Sequence, residues 1–380
     1  MEMEEKPKNI ILVGPISPPY TGQSLSFEML IEGCKEVGLR TFIVDISRKT
    51  DRDRGYAWIS RVFELLIAYK VLVDYLFLLD NTNVYITIAQ SRKGFIRDFL
   101  YIWTCALFRR KITVHLKGGN YDGFYSSQGF LLRLLIRLTL KVPKKILVLG
   151  DSLKGMFDFE PSLKSKIHVV HNGLPRNKGG RSKSLTLNEP LRLLFLSNLI
   201  ESKGYEDVVR SLAILRDKYN LDATAIFAGQ FMTSEDDEIK LSPLQKKNNF
   251  KALVSYLNLN DKVEFLGPVY GGLKWEILTC ARFFCLPTKY INEGQPVSII
   301  EAMAYGCVIL ATEYRAITDL IEDNVNGRFI NNSDPESIAS VVNDIVLNHD
   351  YDRMSEYSIR IFKKKFTRDI HLRNIIHYLT

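Results

Sequence analysis

Cysteine is scarce and scattered in this sequence of 380 residues. The cysteines are five, an odd number, and only Cys280 and Cys285 lie near each other. They match neither a disulfide framework nor the spacing of a zinc site. This usage is typical of a protein in a reducing cytosol, and we expect a cytoplasmic location.

Long uncharged apolar runs are also lacking. The most apolar region, residues 63–79, is interrupted by Glu64, Lys70 and Asp74, so it falls short of the ~18 residues that span a bilayer. The first residues, MEMEEKPK, lack the basic start and apolar centre of a signal peptide. We therefore expect neither a membrane-spanning helix nor export by that route.

Two motifs that would define other enzymes are missing as well. The residues after the first apolar run, GPISPP at 14–19, lack the G-x-G-x-x-G of a nucleotide-dependent dehydrogenase. No Asp-x-Asp pair stands in a loop suited to hold a metal, so no metal and no other cofactor is expected.

Positive charge is concentrated in one part of the chain. The net charge is +8, but residues 1–190 hold 29 Lys and Arg against 18 Asp and Glu. Residues 91–150 alone hold 12 basic and 2 acidic side chains. This segment indicates an anionic partner at the surface that it forms.

Short apolar runs rich in β-branched residues alternate with longer amphipathic stretches along the whole chain. The pattern predicts six strands in the first half and five in the second, two helical stretches around residues 58–79, and one helix over 351–378. Strands separated by helices predict parallel pairing and an α/β fold of two doubly wound Rossmann-like domains facing a cleft. The predicted organisation is a domain over 1–178, a polar linker over 179–189, a domain over 190–350, and a helical segment over 351–380 that could pack back on the first domain.

The most informative motif is the segment EGQPVSIIEAMAYG, residues 293–306. Gly294 permits an unusual turn, Pro296 suits a helix start, and Gly306 suits the position that ends the helix. The free N–H groups of the first turn, at Val297 and Ser298, form a site for a diphosphate.

Two carboxylates flank this phosphate site, Glu293 in the loop and Glu301 within the helix. Hydroxyl-rich groups at both ends of a diphosphate would suit such a site. The segment therefore predicts binding of a nucleotide sugar.

At these residues the chain resembles the retaining glycosyltransferases of the GT-B fold, in particular glycosyltransferase family 4 (group 1). The family's two glutamates separated by seven residues match Glu293 and Glu301, and EAMAYGCVILAT follows over 301–312. The block LSNLIESKG, residues 196–204, resembles the segment that supplies a phosphate-binding lysine, here Lys203.

The resemblance implies that the second domain binds the donor and the first domain binds the acceptor. It assigns Glu293 and His115 to catalysis. The donor-binding residues that it implies, together with those of the motif, are Gly22, Asn198, Lys203, Gly294, Gln295, Pro296, Val297, Ser298 and Glu301.

Two positions depart from the family pattern. The family commonly has arginine where this chain has Asn198, so diphosphate neutralisation rests on Lys203 and the helix amides, or on a basic side chain from elsewhere. The family's common aromatic residue after Glu-Gly is replaced by Gln295.

The resemblance implies metal-independent transfer with retention of configuration, and family frequency favours a UDP-sugar. Two alternatives stay open, a GT-B nucleotide-sugar epimerase and a non-catalytic sugar-binding protein. The sequence fixes neither the donor base and sugar nor the acceptor, the linkage or the oligomeric state.

The basic segment 91–150 interleaves basic and large apolar residues, as in LLRLLIRLTLKVPKK at 131–145. Helices with this mixture can lie in a bilayer interface. No nucleic-acid motif accompanies them, so nucleic acid is not expected as a partner. We expect peripheral attachment to the inner face of the cytoplasmic membrane, with Arg97, Arg109 and Arg110 contributing, and a lipid-linked or envelope-glycan acceptor.

Overall fold

The computed structural model describes residues 9–18, 21–48, 57–175, 180 and 190–380. The chain divides into two compact units. Unit 1 comprises Met1–Pro175 and Thr367–Thr380, and unit 2 comprises Arg176–Phe366. The predicted linker, residues 179–189, lies outside the described residues except for Gly180.

Unit 1 is built on one sheet of six parallel strands. They are β1 (Asn9–Gly14), β2 (Arg40–Asp45), β3 (Thr82–Ile88), β4 (Lys111–Leu116), β5 (Lys145–Val148) and β6 (Ile167–Val169). Its helices are α1 (Gly22–Glu36), α2 (Ala57–Leu78), α3 (Arg92–Leu107), α4 (Tyr121–Ser126), α5 (Phe130–Lys141) and, from the chain end, α12 (Arg368–His377). Short 3-10 turns over Asp151–Phe157 and Pro161–Lys166 precede β6.

The strand order of this sheet is β2-β1-β3-β4-β5-β6. The crossovers through α2, α3 and α5 all run in one direction across the sheet, whereas the crossover through α1 runs in the other. Right-handed crossovers therefore put α2, α3 and α5 on one face and α1 on the opposite face. Helix α12 packs against α1, with Leu372 and Ile375 in the same buried cluster as Phe27, Leu30 and Cys34.

Unit 2 repeats this architecture with a second parallel sheet. Its strands are β7 (Leu191–Leu196), β8 (Ala223–Ala228), β9 (Val263–Gly267), β10 (Phe283–Leu286), β11 (Val308–Thr312) and β12 (Gly327–Ile330). Its helices are α6 (Tyr205–Asp217), α7 (Pro243–Tyr256), α8 (Gly271–Cys280), α9 (Val297–Ala304), α10 (Pro335–Leu347) and α11 (Tyr351–Lys365). Two 3-10 turns lie at Glu201–Lys203 and Arg315–Ile317.

The strand order in unit 2 is β12-β11-β10-β7-β8-β9. The chain moves outward from β7 through β8 to β9, and then returns to the other side of β7 at β10. The carboxyl ends of β7 and β10 therefore form the topological switch point, the place where open α/β sheets bind ligands. The predicted α/β class with two doubly wound sheets is confirmed.

Three sequence-based predictions of elements were wrong. Residues 57–78 form one helix where we expected two stretches. The edge strand β12 was not expected, because its sequence GRFI is short and includes a charged residue. The predicted helix over 351–378 is two helices, since the Thr367 side chain accepts the N–H of Ile370 and caps a new start. No helix in the described ranges combines the length and the apolarity needed to cross a bilayer.

Candidate active site

The loop between β10 and α9 holds Glu293, the first of the two predicted glutamates. The side chain is almost buried, and the residue is 7% exposed. The N–H of Glu293 donates to the Tyr290 carbonyl at 3.0 Å, and Thr288 Oγ1 donates to Oε2 at 3.4 Å. These bonds fold the loop back on itself and fix the carboxylate at the carboxyl end of β10.

Lys203 meets Glu293 at the switch point. It ends the 3-10 turn after β7, and its Nζ lies 3.1 Å from Glu293 Oε2. Nζ also donates to Ser197 Oγ at 3.0 Å and lies 5.2 Å from the ring centroid of Tyr290. The two predicted residues are thus brought together, with Lys203 and Glu293 side chains only 12% and 9% exposed.

Two glycines allow this close packing of loops. Gly204 has φ +74, and a Cβ there would lie 2.6 Å from the Pro287 carbonyl oxygen. Gly229 has φ +156, and a Cβ there would lie 1.9 Å from the Ser197 carbonyl oxygen. Any larger residue at either position would push apart the loops that hold Lys203.

Helix α9 begins where the motif predicted a helix, one residue later than expected. Pro296 is the N-cap residue, and the helix starts at Val297. Proline offers no side-chain oxygen, so the first-turn N–H groups at Val297 and Ser298 point along the helix axis with no side-chain cap from the N-cap residue. Gly306 has φ +68 and ends the helix as predicted.

Glu301 lies within α9 and forms an ion pair with a second lysine. Lys274 Nζ donates to Glu301 Oε1 at 2.6 Å, and Nζ also lies 4.7 Å from the Trp275 ring centroid. Burial raises the pKa of Glu301 above its ordinary value, while the Lys274 charge opposes that rise. Sequence reasoning missed Lys274, because 27 residues separate it from its partner.

Asn198, Gly294 and Gln295 occupy the surroundings of these groups. Asn198 is exposed in the loop after β7, Gly294 is half-buried, and Gln295 is 4% exposed. The basic side chain that we considered in place of the family's arginine stays a prediction.

The loop after β8 supports the Glu293 loop from outside. Asp236 Oδ2 accepts the N–H of Ile291 at 3.2 Å. The neighbouring Asp237 forms a fully buried ion pair with Lys246, whose Nζ lies 2.6 Å from Asp237 Oδ2 and donates to the Met232 carbonyl at 3.1 Å. This pair fixes the shape of the loop on which Ile291 depends.

In unit 1, Gly22 is the first residue of α1. It follows Thr21, whose side chain forms a capping box with Ser24. Gly22 is exposed at this helix start, and Pro19 and Tyr20 before it lie outside the described residues.

His115 lies near the carboxyl end of β4 and is completely buried. Its Nδ1 lies 2.9 Å from Tyr85 Oη, and its Nε2 has no hydrogen-bond partner among the described residues. Burial, followed by the nearby charges of Lys117 and His371, holds the pKa of His115 well below its ordinary value. His115 is therefore neutral at pH 7.

Sequence reasoning missed the roles of two neighbours of His115, Lys117 and His371. Lys117 Nζ donates to Ser26 Oγ at 3.1 Å and to Asn172 Oδ1 at 3.4 Å, and burial lowers its pKa to about 7. His371 of α12 has its Nδ1 2.6 Å from the His171 carbonyl oxygen, and burial lowers its pKa to about 3. A carbonyl only accepts, so Nδ1 carries the proton and Nε2 of neutral His371 is a free base.

Among the described residues, no group of three His, Cys, Asp or Glu side chains is arranged to hold a metal ion. A cavity of about 620 Å³ opens in unit 2 at the amino ends of β7, β8 and β9, lined by Arg192, Thr224 and Lys262 among others. This is the edge opposite to Lys203 and Glu293, and the cavity contains none of the predicted site residues.

Comparison with known proteins agrees with this fold. Residues 180–360 match the family model described as Glycosyl transferases group 1. The amylovoran biosynthesis glycosyltransferase AmsK of Erwinia amylovora is 28% identical over 182 residues, which cover 47% of this chain and 41% of that protein. An uncharacterized glycosyltransferase of Methanocaldococcus jannaschii is 22% identical over 58% of this chain and 55% of its own length. The chain thus spans about half the length of these curated relatives.

The crystal structure of Anabaena HepE in complex with UDP and glucose superposes with a TM-score of 0.69, at 14% identity, over 98% of this chain and 99% of that one. The two parallel sheets are thus those of a GT-B fold.

Proposed function

We propose that this chain, with its glycosyl transferases group 1 domain over residues 180–360, is a retaining glycosyltransferase that uses a nucleotide-sugar donor. One observation carries the proposal: Lys203 and Glu293 meet at 3.1 Å at the switch point, beside the uncapped start of α9. A nearly buried cation next to free helix N–H groups suits a diphosphate, and a carboxylate beside them suits a sugar.

The diphosphate would take over the cation that Glu293 now holds. Lys203 Nζ already has Ser197 as a second partner, so it is fixed in place for an incoming phosphate oxygen. The N–H groups of Val297 and Ser298 and the helix dipole add positive potential where charge develops as the nucleotide departs. These groups supply the stabilisation, and we propose transfer without a metal.

Glu301 is suited to bind ribose hydroxyls. Its carboxylate is almost buried and held by Lys274, so it keeps one orientation and still has free lone pairs on its oxygens. A second basic group at this position also adds positive charge near the nucleotide.

Glu293 has a separate role in this proposal. Once the diphosphate binds Lys203, the Glu293 carboxylate is free to accept sugar hydroxyls and to offset positive charge at the anomeric carbon. His115, neutral and buried, would orient the sugar or the acceptor through its Nε2, which has no partner among the described residues, and would not act as a cation.

We propose a UDP-sugar as donor and a lipid-linked or envelope-polysaccharide glycan as acceptor, with the protein peripheral on the inner face of the cytoplasmic membrane. HepE crystallised with UDP and glucose, which supports the donor class. AmsK is named for amylovoran biosynthesis, and the basic segment of unit 1 supports an anionic, membrane-associated acceptor.

The test separates binding from turnover at the two glutamates. We expect Glu301→Gln to weaken UDP binding in calorimetry, and Glu293→Gln to lower the steady-state rate with little change in UDP affinity. Glu322→Gln is the matched control, because Glu322 forms a 3.1 Å ion pair with Lys365 on the exposed surface. Wild-type behaviour in both site variants would remove the assignment.

The donor base is tested by thermal-shift measurements with UDP, GDP, dTDP and ADP. We expect stabilisation by UDP. Stabilisation by GDP without UDP would overturn the UDP assignment and leave the site intact.

A further inference from the structure

The helices α2, α3 and α5 form one layer over a single face of the unit 1 sheet. Contacts join α2 to α3 and α3 to α5, and each of the three helices lies in a crossover between two strands of this sheet. In a globular protein the outward side of such a layer carries polar side chains. Here the outward side carries many large apolar side chains.

The outward stripes follow helical spacing. In the described residues, 24 large apolar side chains are exposed, and 15 of them lie on these three helices. They are Val62, Phe63, Leu66, Ile67, Phe77 and Leu78 on α2, Ile96, Leu100, Trp103 and Leu107 on α3, and Phe130, Leu131, Leu134, Leu135 and Leu138 on α5. Exposed apolar surface of this extent marks an interaction site, since monomers rarely expose more than a few hundred Å² in one patch.

Both ends of this layer carry cations that no carboxylate neutralises within the described ranges. Arg92 donates to the Gln128 amide at 2.5 Å, Arg133 donates to the Ser126 carbonyl, and Lys93 and Arg109 are exposed. The carboxylates of α2, Glu64 and Asp74, are each paired with a basic residue.

The structure corrects two residues that the sequence assigned to this surface. Arg97 is committed to the buried Asp98, with 2.5 Å between its Nη2 and Oδ1. Arg110 donates to the carbonyls of Leu76 and Leu79 at the end of α2. Both guanidinium groups hold the fold together, and only Arg109 of the three is free to face a partner.

We propose that the α2–α3–α5 layer docks on the surface of an anionic bilayer, apolar side down. The charge decides between a bilayer and a second copy of this chain. A symmetric contact through the same face would bring the cationic helix ends of one copy close to those of the other, whereas anionic headgroups neutralise these charges. Amphipathic helices that combine an apolar face with Lys and Arg residues attach to the membrane interface in this orientation.

This docking extends the proposed function, and its biological role depends on that function. Helices of a parallel sheet run opposite to the strands, so the starts of α3 and α5, with Lys93 and Arg133, lie at the sheet edge where β4 ends. His115 and Lys117 are at that edge. The bilayer would therefore lie beside the part of unit 1 that we assign to the acceptor.

Vesicle co-sedimentation of the full chain tests the docking, with phosphatidylcholine alone and with 30% phosphatidylglycerol. An apolar variant combines Phe77→Ser, Leu107→Ser, Phe130→Ser and Leu131→Ser, all side chains at least 74% exposed. A charge variant combines Lys93→Glu with Arg133→Glu. Matched controls on unit 2 are Leu244→Ser with Leu347→Ser, and Lys251→Glu with Lys363→Glu, at exposed positions.

We expect binding to the anionic vesicles that falls at least tenfold in either layer variant and in high salt, with both controls unchanged. Brominated lipids should also quench Trp103, which is 42% exposed and whose Nε1 donates to Thr139 across α3 and α5. Absence of vesicle binding, or vesicle binding that is unchanged in both layer variants, overturns the docking. If light scattering shows a wild-type dimer that is a monomer in the apolar variant, the face binds a second copy of the chain, and the docking proposal is also overturned.

Calorimetry with UDP on the same variants separates this proposal from the proposed function. Unchanged UDP affinity with lost vesicle binding is the expected result for the layer variants. Vesicle binding by a wild-type protein that binds no nucleotide would retain the docking and remove the transferase.

Discussion

Lys203→Met probes the ion pair at the centre of the candidate site. Lys203 neutralises Glu293, and both side chains are nearly buried. Methionine keeps the length of the side chain and removes its charge. The variant therefore loses the proposed phosphate contact and also leaves a carboxylate unpaired, with only Thr288 as a donor among its side-chain partners described here.

The loss of stability and the loss of UDP affinity can be estimated separately. Removing one partner of a buried pair costs about 3–5 kcal/mol, and the slight exposure of this pair puts the expected cost at or below the lower end. A hydrogen bond to a charged group contributes roughly 1.5–3 kcal/mol, which is about a 10- to 100-fold loss of UDP affinity. In the double variant Lys203→Met with Glu293→Gln, the unpaired charge is gone, so most of the stability should return while UDP affinity stays low.

Urea unfolding and UDP calorimetry on the two single variants, the double variant and Lys365→Met measure both quantities. Lys365 is the matched control, since its 3.1 Å pair with Glu322 is exposed and should contribute at most about 1 kcal/mol. Recovery of UDP affinity in the double variant would refute the role of Lys203 in binding phosphate. A single variant as stable as the wild type would refute the burial argument.

Three further outcomes follow from the same geometry. Activity should persist in EDTA, because Lys203 and the α9 amides supply the positive charge; loss of activity that magnesium or manganese restores would contradict this. Lys117 has a folded pKa of about 7 against an ordinary 10.5, so the unfolded chain binds the extra proton between these values. The free energy of unfolding of the wild type should therefore rise relative to that of Lys117→Met above pH 7, by up to about 1.4 kcal/mol per pH unit. The same difference between the urea midpoints of the two proteins at pH 7 and at pH 9 would disprove it. Lys246→Met should destabilise unit 2 by about 3–5 kcal/mol, because Asp237 is left buried and unpaired; adding Asp237→Asn should return part of that loss in thermal unfolding, and an additive loss would argue against the pair.

The sequence was sufficient for the parts of the fold that local patterns determine. Alternating apolar runs predicted eleven of the twelve strands in the described part of the chain, and the Pro296 and Gly306 positions predicted both ends of α9 to within one residue. Edge strand β12 was not predicted because its apolar pattern is short. The break between α11 and α12 was not predicted because it depends on a single threonine cap.

The site was harder to predict wherever it depends on contacts between distant residues. Lys203 and Glu293 were both named, but no pattern told us that they would pair with each other. Lys274 and His371 act on partners in other elements, so their roles depend on tertiary packing alone. The sequence shows that segment 91–150 is rich in positive charge. Only the packing shows that Arg109 is exposed, whereas Arg97 and Arg110 bind groups within the fold.

Product analysis by NMR tests the central claim most directly. The protein is incubated with a panel of UDP-sugars, with and without a polyprenyl-phosphate-linked glycan on anionic vesicles. We predict UDP release that depends on the acceptor, a product with the same anomeric configuration as the donor, and loss of both in Glu293→Gln but not in Glu322→Gln. An epimerised nucleotide sugar formed without acceptor, a product of inverted configuration, or full turnover by Glu293→Gln would contradict it.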